Sequence, residues 1–206
     1  MRTRILAAAL SVAAVAMAVT TIAVATAVPD LPDGVHQAYL ADGEGEPEHA
    51  TITLSGTLST AGAITVTCSN AVTATLDGDG TVTVTAFTPT GCVVVGWPNC
   101  PVSFVAENLD FGGRLGFDTR DSPNAYRLFL NVAFNLTYGA SPPTCPWAGT
   151  FTQSGTFSPT IAVAGGTLTA TFSGTAGSLT GPLGATRWIG TLASTSGVGS
   201  ETQLIY

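Results

Sequence analysis

Tyr126-Arg127-Leu128-Phe129-Leu130-Asn131-Val132-Ala133-Phe134-Asn135-Leu136-Thr137-Tyr138 is the stretch on which the fold turns. Tyr126, Leu128, Leu130, Val132, Phe134, Leu136 and Tyr138 fall on one side of an extended chain. Arg127, Asn131, Asn135 and Thr137 fall on the other, interrupted by Phe129 and Ala133. A period of two belongs to a strand with one face in a core and one in water, and no helical spacing fits these residues. Strands usually run roughly 3 to 10 residues. A run this long is therefore expected to bend at a bulge or to pass through two layers.

The same alternation recurs on both sides of it, in Ile64-Thr65-Val66-Thr67, in Thr81-Val82-Thr83-Val84-Thr85 and in Thr167-Leu168-Thr169-Ala170-Thr171-Phe172. Short clusters of Gly, Ser, Pro, Asn and Asp separate these runs and read as turns. After the first 27 residues no segment carries the three-to-four spacing of an amphipathic helix. The expected fold is all-β: an antiparallel β-sandwich of jelly-roll or immunoglobulin-like type, with a closed β-barrel as the alternative. The terminal Gln203-Leu204-Ile205-Tyr206 ends in an aromatic residue, as outer-membrane barrels do. Four cysteines and long Gly/Ser turns favour a domain that faces water instead.

Three zones follow from composition. Residues 1–27 read as a signal peptide: Arg2 and Arg4, an Ala/Val/Leu run from Ile5 to Val24, and a small-x-small site at Ala25-Thr26-Ala27. Residues 28–50 carry Pro29, Pro32, Pro47, six carboxylates and both histidines, His36 and His49, and read as an acidic Pro/Gly-rich linker. Residues 51–206 make the disulfide-bonded β-domain. The chain has no lysine and a formal charge of −7, and removal of the signal takes away two of the six arginines and none of the acids. Nucleic acid is excluded as a partner, because counterion release needs clustered positive charge.

Cys68, Cys92, Cys100 and Cys145 form an even set in an exported chain and read as two disulfides. Four cysteines allow three pairings. A hairpin turning at Asp77–Gly80 sets Cys68 opposite about residue 89, which favours Cys68 with Cys92 and Cys100 with Cys145. Zinc is disfavoured by the absence of a Cys-x-x-Cys pair or a nearby histidine.

Catalytic chemistry is scarce. Residues 51–206 contain no histidine, which leaves Ser-His-Asp and Cys-His catalysis without a base, and the absent lysine removes the Ser-Lys variant. Glu107, Asp110, Asp118 and Asp121 lie close in sequence to Arg114 and Arg120 and contain a candidate carboxylate pair for glycoside hydrolysis. Trp97, Trp147 and Trp188 are candidates for a ligand surface that stacks sugars. Turns rich in Asp and Asn explain the carboxylates equally well. Asp77-Gly78-Asp79-Gly80 has the opening spacing of a calcium loop but lacks its later oxygens, and a hairpin turn accounts for it. No catalytic residue, metal ligand or cofactor is assigned.

Val66-Thr67-Cys68, the hairpin at Asp77–Gly80, Gly91-Cys92, Cys100 and Thr144-Cys145-Pro146-Trp147-Ala148-Gly149-Thr150 follow one another in an order that resembles small exported bacterial β-proteins of the alkane-oxidation-activator type and their uncharacterised actinobacterial relatives. The resemblance spans about residues 51 to 195. It implies a non-catalytic accessory protein, outside the cell or at its envelope. The acidic 28–50 zone and the Arg/Asp-rich stretch from Arg114 to Arg127 depart from that pattern. High Ala, Val, Thr and Gly usage without lysine suggests an actinobacterial source. The expected function is a binding or structural role at the envelope or beyond it, with an envelope polymer or a second copy of the chain as candidate partners. A secreted carbohydrate-binding or glycoside-hydrolysing protein, and a pore or self-assembling surface component, are the alternatives.

Overall fold

A computed structural model describes residues 28–106, 111–120, 124–139, 145, 149–179 and 184–206. The signal peptide expected at 1–27 lies outside the described residues. Thirteen strands and no helix are found among the described residues: β1 (Val35–Gln37), β2 (Tyr39–Ala41), β3 (Ala50–Ala61), β4 (Val66–Leu76), β5 (Thr81–Val94), β6 (Val102–Ala106), β7 (Phe111–Asp118), β8 (Ala125–Tyr138), β9 (Gly149–Phe157), β10 (Thr160–Ala164), β11 (Thr167–Leu179), β12 (Thr186–Ser196) and β13 (Gln203–Ile205).

Every ladder is antiparallel. Eight strands pair in a closed circuit, β3-β4-β5-β7-β8-β10-β11-β12 and back to β3. The all-β expectation holds; the sandwich does not, and the barrel offered as its alternative is what forms. The physical reason lies in β8. Its first half pairs with β7 on one edge, Gly113 to Asp118 against Leu130 to Ala125, and with β10 on the other, Thr160 and Ile161 against Arg127 and Tyr126. β7 continues into β5, and β10 into β11, so the chain's two meanders are joined on this side as well as through β3 and β12. A sandwich would leave the edges of two sheets unpaired at this point; closure removes them.

β8 runs unbroken for 14 residues. It accommodates its length by taking partners in succession, so the bulge expected in it is absent from its ladders: β6 pairs alongside its upper half on the β7 side, and β9 on the β10 side. Bulges occur elsewhere, two in the β4–β5 ladder and one each in β11–β12 and β12–β3. They sharpen strand twist, as a small barrel demands. Glycine serves the same curvature at Gly56, where a Cβ would collide with the Thr191 carbonyl of the neighbouring strand.

The two β4–β5 bulges also decide the disulfides. Each advances the register of β5 by one residue, so that Ser69 faces Thr90, Thr67 faces Val93, and Cys92 comes level with Cys68 where the unshifted register would place Thr90. The bridges are Cys68–Cys92 and Cys100–Cys145, with Cα atoms 4.2 and 4.9 Å apart. The second fastens the β5–β6 turn to the segment between β8 and β9, at what we call the upper end.

The lower end is capped by residues expected to be a solvated linker. β1 pairs with β7, β2 pairs with β13, and Ala38, Leu40 and Ala41 are each no more than 1% exposed. Asp30, Asp33, Asp42, Glu44 and Glu46 are exposed, Glu48 Oε2 accepts from Thr202 Oγ1 at 3.1 Å, and Ala38 and Leu40 join the core. Phe117 stacks on Tyr206 with centroids 4.0 Å apart, and the Tyr126 hydroxyl donates to Leu204 O at 2.9 Å. The cap locks onto the barrel at Gly80. Its carbonyl accepts from Leu115 N at 2.8 Å, its φ is +76°, and a Cβ here would sit well inside van der Waals distance of Ala38 O.

Gly80→Ala is therefore expected to lower stability by about 2 to 3 kcal/mol, combining the left-handed backbone cost with displacement of the cap. Gly96→Ala, at a similar φ of +84° with open space around it, should cost only about 1 kcal/mol. Urea midpoints at unchanged m-value check both; equal losses would refute the contact between cap and hairpin.

Candidate functional site

Closing eight strands around the alternating runs sends their apolar sides into a lumen. β3 contributes Ile52, Leu54 and Leu58, β4 contributes Val72, Ala74 and Leu76, and β11 contributes Leu168, Ala170 and Phe172. Interiors are normally packed to crystal-like density with few voids larger than a water molecule. Here two adjoining voids remain along the barrel axis. The lower, about 40 Å³, is walled by aliphatic residues including Ile52, Leu76, Val82 and Leu115. The upper, about 70 Å³, adds to its aliphatic wall the aromatic rings of Phe87, Phe111, Phe134, Phe157, Phe172 and Trp188. Leu54, Ala74, Leu128 and Ala170 line both. Among the described residues no charged side chain lines either.

Trp188 stands at the upper end of the aromatic chamber. It is 3% exposed and packs between Phe104, Phe134 and Phe157, with ring centroids 5.6 to 5.7 Å away. Above it comes a polar collar of Thr60, Gln153 and Thr186. Gln153 Nε2 donates to Thr186 Oγ1 at 2.8 Å, and Thr60 Oγ1 accepts from Val66 N at 2.8 Å. Gln153 Oε1 and Trp188 Nε1 are buried without a hydrogen-bond partner among the described residues. The Tyr138 hydroxyl lies at this level, and burial raises its pKa to about 12.

The outside of the barrel is the chemical opposite. Hydroxyl and amide side chains pair across its strands: Ser59 with Thr67, Thr137 with Thr150, Asn135 with Thr152, and Asn131 with Thr156, all between 2.7 and 2.9 Å. A barrel that crosses a bilayer presents apolar residues outward and polar ones inward. This one is reversed.

The candidate ligand surface is not brought together. Trp188 is inside the lumen; Trp97 is 41% exposed on the β5–β6 turn; Trp147 lies outside the described residues. Of the candidate carboxylates, Glu107, Asp110 and Asp121 lie outside the described residues. Asp118 is buried at the lower rim and already engaged. Arg120 Nε and Nη2 donate to it at 2.9 and 2.7 Å, Arg120 N donates at 3.0 Å, and Arg127 Nε stands 3.4 Å away. The Arg120 hydrogen bonds hold its pKa at about 2 against the opposing effect of burial. A carboxylate so held accepts no proton near neutrality. Asp77–Gly80 is the β4–β5 hairpin turn, with Asp79 Oδ1 accepting from Thr81 N at 2.9 Å, and Asp77 faces His49 Nδ1 at 2.7 Å. Among the described residues no three His, Cys, Asp or Glu side chains converge.

The lumen was not anticipated from sequence. Its signal is present, though: Ala74 pairs with Ile52 and Val84, and Ala170 with Ile161 and Leu192, and these two small inward residues line both voids. No family model, no curated protein and no solved structure matches the chain.

Asp118 predicts an acid sensitivity. Its folded pKa lies below the unfolded value near 3.8, so its contribution is present above about pH 4 and is lost as pH falls toward 2. The shift corresponds to on the order of 2 kcal/mol. Asp118→Asn should lose at least that much at pH 7, and the gap from wild type should close by pH 2. Urea midpoints across this range check it; a pH-independent gap would show that the carboxylate's charge is not what matters.

Proposed function

We propose that this is an exported, non-catalytic binding protein that carries a small apolar molecule in its barrel lumen, working outside the cell or at its envelope. The observation that carries the reading is the lumen itself: two contiguous voids with wholly apolar walls inside a closed barrel whose outer face is hydroxyl-rich. Unfilled space forfeits dispersion contacts, and a larger dry engineered cavity of about 150 Å³ takes up benzene or xenon. Two disulfides fit an oxidising compartment and fasten the upper end, where the strands beside β8 change partners. The absence of histidine and lysine from the barrel, and the engagement of Asp118 by arginine, support binding over catalysis.

A second reading draws on Val93, Val95, Trp97 and Val105, which are 41 to 61% exposed on β5, the β5–β6 turn and β6. They support contact with an envelope polymer or a second copy of the chain. Sedimentation of wild type against Val95→Ser/Trp97→Ser would show a lower association state in the variant if copies meet there.

For the lumen, n-pentane at tenfold its Kd should stabilise the protein by about 1.4 kcal/mol, a rise of roughly 3 to 6 °C in Tm. Ala170→Leu, which fills the space shared by the two chambers, should remove that rise while leaving the variant folded, at a cost of about 1 to 3 kcal/mol. An unchanged Tm for wild type across the solubility range of pentane would overturn the reading.

A further inference from the structure

Charge is segregated along the barrel axis. The sequence carries no charged side chain from Ala50 to Leu76, from Gly80 to Ala106 or from Leu128 to Thr186. These stretches build β3, β4, β5, β6, β9, β10 and β11 in full, together with the upper half of β8. Among the described residues the carboxylates gather at the lower end, on the cap segment, at the Asp77 and Asp79 turn, at Asp118 and at Glu201. Arg187, which pairs with Ala61, is the one charged side chain described at the upper end.

Apolar exposure runs the opposite way. Val93, Val95, Trp97, Val105 and Ile189 are exposed and all lie in the upper half; the other exposed large apolar residues, Val28 and Tyr206, belong to the ends of the described chain. The turn that carries Val95 and Trp97 is fixed in place. Trp97 N donates to Val94 O at 3.0 Å, Cys100 N donates to Trp97 O at 2.9 Å, and Cys100 is bridged to Cys145. The indole is thus held half-exposed on an ordered turn, and little conformational freedom is lost when a surface covers it.

What covers it is limited by area and by charge. Val93, Val95, Trp97 and Val105, each only 41 to 61% exposed, fall well short of the roughly 800 Å² per partner of a stable protein pair. A lipid interface requires less, because a few apolar side chains and an indole at headgroup level suffice for reversible attachment. The hydroxyl-rich outer wall cannot enter hydrocarbon, which confines such contact to one end. With a single arginine there, nothing draws this end to an anionic surface in particular.

We infer that the upper end of the barrel rests on a neutral lipid surface, with Val95 and Trp97 at the headgroup boundary, Val93 and Val105 beside them, and the acidic lower end directed into water. This contact does not depend on what the lumen holds, and its occupant differs from the polymer or second copy considered above. The 14 residues of β8, at roughly 3.3 Å each and tilted by about 40°, set the two ends about 35 Å apart. That is several times the Debye length of about 8 Å, so the lower carboxylates neither assist nor oppose the contact.

Flotation with phosphatidylcholine vesicles tests it, using residues 28–206 with both disulfides formed. The protein should float with the vesicles, and its partition coefficient should change by less than about twofold between low and about 1 M salt. Val95→Ser/Trp97→Ser should weaken partitioning about tenfold, and Val28→Ser by less than about twofold. Vesicles should also shift the tryptophan emission of the wild type to the blue, and Trp97→Phe should abolish that shift while still floating. This second readout decides the matter if the double variant does not fold. Absence of the wild type from the vesicle fraction, or binding that high salt removes, would overturn the inference. So would a blue shift that survives in Trp97→Phe. A dimer that forms without vesicles, does not float and is broken by the double variant would give this face to a second copy instead.

Discussion

β8 is hydrogen-bonded along both edges, and by different strands in its two halves. The lower half is held between β7 and β10, the upper between β6 and β9. With the lower half paired on both sides, the sheet has no edge there and must curve back on itself. Closure then imposes the division of side chains seen throughout the molecule. One set of alternating residues faces a lumen of fixed circumference, and the other faces water. The lumen can be filled only by what those strands carry inward. Where they carry Ala74 and Ala170 in place of larger residues, space is left that no neighbouring element can enter.

Much of this was legible in the sequence because period-two patterning depends only on strand geometry. The face of Tyr126, Leu128, Leu130, Val132, Phe134, Leu136 and Tyr138 turns inward as its alternation implies, and Leu168, Ala170 and Phe172 do the same on β11. The pairing of Cys68 with Cys92 was favoured from the hairpin alone, although the register that delivers it depends on two bulges. Barrel against sandwich could not be read in this way, because both architectures place the same residues inside. What separates them is which strands sit beside β8, a long-range pairing with no local signature. Phe129 illustrates the limit from the other direction: it lies on the strand's opposite face and is still buried.

Residues 28–50 depart from what their composition implies for a different reason. Six carboxylates and three prolines satisfy every compositional rule for a solvated tether, yet Ala38, Leu40 and Ala41 suffice to seal one mouth of the barrel. Composition averages over a window, whereas a cap needs only a few apolar side chains at the right places and a route for its backbone hydrogen bonds. Ala38 N donates to Leu115 O, Glu48 N to Leu40 O, and the β2–β13 ladder satisfies much of the remainder. Five of the six acidic residues remain exposed on the outside of the cap, and the sixth, Glu48, accepts from Thr202 Oγ1.

The molecule thereby keeps its charge and its cavity apart. Asp118, Arg120 and Arg127 meet at the lower rim, His49 pairs with Asp77 at the hairpin turn, and the space along the axis is bounded by side chains that neither gain nor lose a proton. Moving a proton to or from a molecule in the lumen would require an ionisable group there, and burying one without a partner would cost several kcal/mol.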